Sequence, residues 1–330
     1  MQKEYYYVYC QGVLGVKTNL CDFKWAYGSV APSVSSSEYD KCVVKFDVAV
    51  KPEKHLNKQY ACDRRFQAYS WDANKQTVTY NRKLFKKMDL GYRLQISDHS
   101  VNAEIGENYF KYVKSRVMNM HGVYYLLSDL ANILLLKNGY LTLYASSVYM
   151  ESFKKCLVSF APPNTGKTCM ASVLCERYGG ALVGEDIVIF DGSKAHVCPW
   201  TNSYRKSGKS ILDSSGSLGR KKRTVGNVAT KACTVTDLAV LSLGEKMIDT
   251  DKKRILREMS ILNGYLFHYY SSPIVKIISY FHEEFDKPWA EYAMEFFETM
   301  VENCRCYKIQ SEESVDFAEI FYEIVSDKKV

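Results

Sequence analysis

Two short stretches carry residues whose types and spacing can do chemistry. The first is Ala161-Pro162-Pro163-Asn164-Thr165-Gly166-Lys167-Thr168-Cys169. It matches the phosphate-binding pattern G-x-x-x-x-G-K-[ST] at every position but the first, where Ala161 stands in place of glycine. Such a loop wraps phosphate oxygens with backbone N–H groups at the positive end of a helix. Its lysine, here Lys167, reaches the β- and γ-phosphates, and its hydroxyl, here Thr168, ligates Mg²⁺. A glycine in the first position permits a positive φ that alanine resists, so Ala161 predicts a stiffened start to the loop. The second stretch is Gly184-Glu185-Asp186. An isolated acidic pair is ordinarily a solvated turn. One helix downstream of a phosphate loop, Glu185 and Asp186 become candidate Mg²⁺ ligands together with Thr168. They are also candidates, with Lys167, for the groups that position or deprotonate a nucleophile in phosphoryl transfer.

These residues need a strand, a helix and a second strand to hold them. Residues 156–160 form an apolar run that reads as a buried strand entering the loop. Met170, Val173, Leu174 and Tyr178 recur at helical spacing, which predicts a helix over 169–178 with one buried face. Residues 181–183 and 187–190 read as short strands on either side of Glu185-Asp186, and Asp191-Gly192 turns the chain into a hairpin toward 196–198. Upstream, Tyr124, Leu127, Ala131, Leu134 and Leu135 predict an amphipathic helix over 123–137, stopped by Asn138-Gly139. Short strands follow at 141–144 and 147–150. Downstream come a core strand at 237–243, helices near 252–269, 274–284 and 289–303, a strand at 305–309 and a last amphipathic helix. Residues 1–115 read as mostly β, with alternation at Val44, Phe46, Val48 and Val50 and hairpins around 72–75 and 97–100. The expected organisation is a β-rich domain over 1–115, free to hold a substrate, and an α/β (α+β) nucleotide-binding domain over 116–330.

With 330 residues, 47% hydrophobic and 14% aromatic, the chain can bury substantial cores and lacks a disorder signature. The net charge of +7 is moderate and much of it falls in 204–231, including Arg205, Lys206, Lys209 and Arg220-Lys221-Lys222-Arg223. That is a local patch, expected to be a soluble loop or a lid over the phosphates, and no nucleic-acid partner is expected. No run approaches the ~18 apolar residues of a membrane span. The first residues lack the apolar core of a secretory signal, and eleven scattered cysteines suit reduced thiols. A cytoplasmic location follows as the expectation. Cys304-x-Cys306 has the look of half a metal site but no second pair at suitable spacing.

The order of these features resembles the HPr kinase/phosphorylase family, and the wider set of kinases with the phosphoenolpyruvate carboxykinase-like fold. The stretches that carry the resemblance are 143–148, the phosphate loop and 184–189. The C-terminal sequence of elements and the β-rich N-terminal region are also similar to HPr-kinase-like proteins of peptide maturation. The resemblance implies an ATP-dependent kinase that uses Mg²⁺. The family's acid pair falls on Glu185 (general base and metal side) and Asp186. The family's histidine in the strand before the loop is Tyr144 here. The expected reaction moves the γ-phosphoryl group of ATP to a hydroxyl of a peptide, a protein or a small alcohol. Two alternatives stand beside it: a hydrolytic or switch NTPase, with 238–245 as its acid-bearing strand, and a nucleotide-binding module without catalysis. The oligomeric state is left open.

Overall fold

The computed structural model describes residues 3–25, 27–28, 31–56, 64–66, 68–72, 74–84, 88–113, 120–199, 227–264, 274 and 289–326. Of the basic segment 204–231, only 227–231 fall among them, so Arg205, Lys206, Lys209 and 220–223 lie outside. The expected helix 274–284 lies outside apart from Ile274. The architecture is mixed α/β with several sheets, compatible with α+β. The chain divides into two compact units, 1–138 with 269–289 and 139–268 with 290–330. The helix over 123–137 is grouped with the first unit, whereas the sequence reading began its second segment at 116.

The first unit holds an eight-stranded sheet. Its strands are β1 (Tyr5–Cys10), β2 (Leu14–Thr18), β3 (Val44–Lys51), β4 (Arg64–Phe66), β5 (Tyr69–Asp72), β6 (Thr77–Leu84), β7 (Met88–Ile96) and β8 (Ser100–Gly106), in the order β1-β2-β3-β8-β7-β6-β5-β4. The β5–β6 and β7–β8 hairpins are the two read from sequence. Alternation explains β3: Val44, Phe46 and Val48 are buried while Lys45, Asp47 and Ala49 are half-buried. Helices α1 (Ser36–Asp40), α2 (Glu107–Tyr112) and α3 (Val123–Lys137) complete the described part. The expected single buried face of α3 is corrected: Leu126, Leu127, Leu130, Ile133, Leu134 and Leu136 bury most of its circumference, and Ser128, Asp129 and Asn132 are buried with them. Two of its buried polar residues have internal partners: Ser128 Oγ donates to the Tyr124 carbonyl at 2.7 Å, and Asn132 Oδ1 accepts from Tyr27 Oη.

The second unit carries the phosphate loop. Strands β9 (Leu141–Leu143), β10 (Ser146–Met150) and β11 (Lys155–Phe160) lead into helix α4 (Lys167–Arg177). After α4 come β12 (Ala181–Gly184), β13 (Val188–Phe190), β14 (Lys194–His196), β15 (Cys233–Thr234), β16 (Asp237–Leu243) and β17 (Met247–Asp249). The chain then runs through α5 (Lys252–Asn263), α6 (Trp289–Asn303), β18 (Arg305–Ser311) and α7 (Asp316–Val325). A six-stranded sheet has the order β12-β10-β11-β16-β18-β17, and a four-stranded sheet the order β15-β14-β13-β9. β11, β16 and β18 run parallel, so their C-terminal ends share one edge. One face of the six-stranded sheet is covered by α4 and α7 through Leu157, Met170, Val173, Leu174, Leu241, Ile309, Phe317 and Phe321. Burying side chains of this size contributes about 1.5–3 kcal/mol each. Phe297 of α6 contacts Phe160 on the other side of β11.

At the start of the parallel strands an exposed arginine reaches a buried aspartate. Asp237 is fully buried, and its Oδ1 accepts from Arg305 Nε at 2.9 Å and from a second guanidinium nitrogen at 2.8 Å. Its other oxygen accepts from the Thr236 hydroxyl at 2.7 Å. Asp237 and Arg305 are also strand partners. Among the described residues the cysteines are free thiols, and no helix is long and apolar enough to cross a membrane.

Candidate functional site

The loop joins the C-terminal end of β11 to the first turn of α4, the strand–loop–helix order that the motif requires. Ala161 is fully buried in the core beneath α4 and is absent from the residues with positive φ. The left-handed positions are Asn164 (φ 65°) and Gly166 (φ 127°). Alanine in the first position therefore needs no strained backbone, and the expected penalty there does not arise. Pro162 is half-buried, Pro163 and Asn164 are exposed, and the Thr165 N–H closes the turn on the Pro162 carbonyl at 3.3 Å.

Gly166 is required twice over. Its φ is one that side chains rarely adopt, and a Cβ there would lie 2.4 Å from Ser314 Cβ. Ser314, in the β18–α7 connection, thus presses directly on the loop, and it also hydrogen-bonds the half-buried Cys169. Burial pushes the Cys169 thiol up. No side chain caps α4 at Gly166, so its leading N–H groups remain available to an anion.

Lys167 is buried, 5% exposed, with its ammonium donating to the Ala161 carbonyl at 2.8 Å. The same nitrogen lies 4.0 Å from the centre of the Tyr144 ring. Burial lowers the Lys167 pKa to about 8, against the pull of Asp186 and Glu185, which favour the charged form.

Glu185 and Asp186 follow β12 in a turn that the local sequence dictates. Asp186 takes the left-handed conformation (φ 58°), one that aspartate tolerates better than most residues. A Cβ at Gly184 would meet the Ile187 carbonyl at 2.7 Å, so only glycine lets the turn close. Glu185 is 3% exposed. One carboxylate oxygen accepts from the Thr168 hydroxyl, while Oε1 has no hydrogen-bond partner among the described residues. Burial, then repulsion from Asp186, raises its pKa to about 7, with Thr168 and Lys167 opposing. Asp186, half-buried, is also raised by burial and drawn back by Lys167. The structure therefore brings Lys167, Thr168, Glu185 and Asp186 into one electrostatic cluster. An orphaned, buried carboxylate oxygen beside a hydroxyl is a donor set that suits a small hard cation, and one or two carboxylates are what Mg²⁺ ordinarily takes from protein.

Glu245, the acid of the alternative 238–245 strand, sits in the exposed turn between β16 and β17. Cys304 and Cys306 donate to the Val235 and Val301 carbonyls. Two contributors escaped the sequence reading. Ser314 lies in an acidic connection with no motif. Asn263 falls inside the helix expected near 252–269 and draws no notice there; in the structure it ends α5, its Oδ1 accepts the Tyr144 N–H at 2.7 Å and its Nδ2 donates to the Thr142 carbonyl at 3.4 Å. No model of a known protein family matches the chain, and no curated protein matches it.

Proposed function

We propose that the chain is an ATP-dependent kinase that moves the γ-phosphoryl group to an organic hydroxyl, in a peptide, a protein or a small alcohol. The finer fold assignment, an HPr-kinase-like domain of the phosphoenolpyruvate carboxykinase type, belongs to the same proposal. The observation that carries it is the convergence of the buried Lys167 and the half-buried Thr168 on Glu185 and Asp186, at the mouth of a strand–loop–helix turn.

In this reading Ala161 to Cys169 hold the nucleotide phosphates. The α4 N-terminus and loop amides donate to phosphate oxygens, and Lys167 gives up the Ala161 carbonyl to bind them. Thr168, Glu185 and Asp186 would hold Mg²⁺, which when bound offsets phosphate charge. Glu185, buried with one carboxylate oxygen unpartnered among the described residues, is placed to accept the proton of an acceptor hydroxyl. Its buried position keeps bulk water from serving as the easy alternative partner. Against the hydrolytic alternative, the charges that bear on Lys167 come from the turn after β12, whereas Glu245 is exposed.

The test is the fate of the γ-phosphate. Labelled ATP with serine- or threonine-ended peptides, free serine and polyols should give acceptor-dependent ADP and label in a phosphoester. Glu185→Gln should keep nucleotide binding and lose transfer by about 10²-fold, a usual general-base contribution. Rapid phosphate release that no acceptor alters would replace the kinase by an NTPase, and Mg²⁺·ATP binding without turnover would leave a binding module.

A further inference from the structure

We propose that Tyr144 is a positioning residue for Lys167, its ring face holding the ammonium in line with the loop while the amine exchanges one oxygen acceptor for another. The inference rests on the nucleotide reading of the loop. A buried ammonium has three donors to direct. The structure accounts for one, donated to the Ala161 carbonyl at 2.8 Å, and places the nitrogen 4.0 Å from the Tyr144 ring centre. That separation is well inside the ~6 Å over which a ring quadrupole attracts a cation. A ring face attracts the charge without a directional bond. The ammonium can therefore turn from the carbonyl to an incoming phosphate oxygen without losing this neighbour. A carboxylate in the same place would compete with the phosphate for the charge.

The ring is itself held in place. Tyr144 sits in the bend between β9 and β10, and Asn263, the last residue of α5, holds the chain where it leaves β9 for that bend. Asn263 is 2% exposed and takes the Tyr144 N–H while donating to the Thr142 carbonyl. A buried amide that takes the N–H of Tyr144 and gives to the carbonyl two residues before it fixes the backbone from which the ring projects. The line from α5 to the phosphate loop thus runs Asn263, Tyr144, Lys167. Because the contact is to the ring, phenylalanine should serve as well as tyrosine and an aliphatic residue should not.

The experiment compares Tyr144→Phe and Tyr144→Leu in the full chain. Calorimetric Kd values for Mg²⁺·ATP should match wild type in the Phe variant and rise about tenfold in the Leu variant, the span expected of a desolvated cation–π contact. In a Lys167→Ala background the Leu substitution should add nothing further, whereas a merely structural role would add its full effect. Independently of any nucleotide, amine-selective acetylation followed by peptide mass spectrometry should label Lys167 several-fold faster in Tyr144→Leu than in wild type or Tyr144→Phe. Equal Kd and equal labelling in all three proteins overturns the proposal, as does a Phe variant that behaves like the Leu variant. If wild type binds no Mg²⁺·ATP, the nucleotide reading fails on its own, and the labelling series still decides whether Tyr144 governs Lys167.

Discussion

Replacing Glu185 by glutamine should change how stability depends on pH, in a direction and amount set by the geometry of the site. Glu185 is buried, with one carboxylate oxygen lacking a partner among the described residues, and its pKa rises from the ordinary 4.5 to about 7. The folded chain therefore binds more protons than the unfolded chain between those values. Stability from this group is fully present below 4.5 and is lost as pH rises through 7. At roughly 1.4 kcal/mol per pH unit, the whole window is worth about 3 kcal/mol. Between about pH 5 and pH 8.5 the wild type should lose about 2–3 kcal/mol through this residue, a loss absent from Glu185→Gln. Any fixed cost of placing an amide there is the same at both pH values and cancels. Slopes from titrating groups outside the site are shared to first order, and the Lys167 slope, which Glu185 influences, is read from Lys167→Ala as a control. Urea denaturation of both proteins at the two pH values, followed by far-UV circular dichroism and fitted unit by unit where two transitions resolve, gives the quantity directly. The variant should be the more stable protein, relative to wild type, at the higher pH. A difference in pH response below about 0.5 kcal/mol, or one of opposite sign, would mean that Glu185 is not desolvated, and the reasoning that makes it a buried base would go with it.

Three further outcomes follow from the same geometry. Lys167→Ala removes a charge-assisted contact and should weaken Mg²⁺·ATP binding by about 1.5–3 kcal/mol, roughly ten- to a hundredfold in Kd; unchanged calorimetric binding would reassign the loop. Gly166→Ala meets both an unfavourable φ and Ser314, so nucleotide binding should be lost and thermal stability lowered, whereas Ala161→Gly should leave binding within about threefold, since position 161 needs no positive φ. Asp237→Asn removes the charged acceptor of two hydrogen bonds from the solvent-exposed Arg305 at the head of the parallel strands and should cost about 1.5–3 kcal/mol in urea denaturation; a loss under about 0.5 kcal/mol would show that the pair does not hold the register.

Much of the second unit was legible because its signals are local. The apolar run before the loop, the helical spacing of Met170, Val173 and Leu174 and the glycine of a tight turn each act over a few residues, and β11 and α4 came out within two positions of the reading, whereas the helix expected near 252–269 ends at Asn263. α3 was legible as a helix but not as a buried one. Its face pattern follows Leu and Ala spacing, whereas the burial of Asn132 depends on Tyr27, far away in sequence. β1 and β2 were missed because Tyr5–Cys10 and Leu14–Thr18 lack clean alternation, and β2 and β3 pair in parallel without a hairpin turn to announce them. At the site, the sequence carried the chemistry of Lys167, Thr168, Glu185 and Asp186. It did not carry the supports, Asn263 and Ser314, which act through single contacts across the fold. The first-position alanine looked like a defect only because a pattern was read without a backbone; the positive φ sits at Asn164 and Gly166 instead.

The central place of β11 in its sheet has a consequence for the order in which the chain can assemble. One neighbour, β10, is close by, but the other, β16, is fixed through Thr236, whose hydroxyl meets the Cys156 N–H across 80 positions, and β18 comes later still. During synthesis the phosphate loop therefore leaves the ribosome well before the strands that bury its stem. Closing such long loops is entropically slow, and until then the apolar stem stays open to wrong partners. Ligand-binding competence should accordingly be among the last properties gained on refolding. A truncated chain that ends before Arg305 would keep every residue of the motif and yet have no packed sheet on which to hold it.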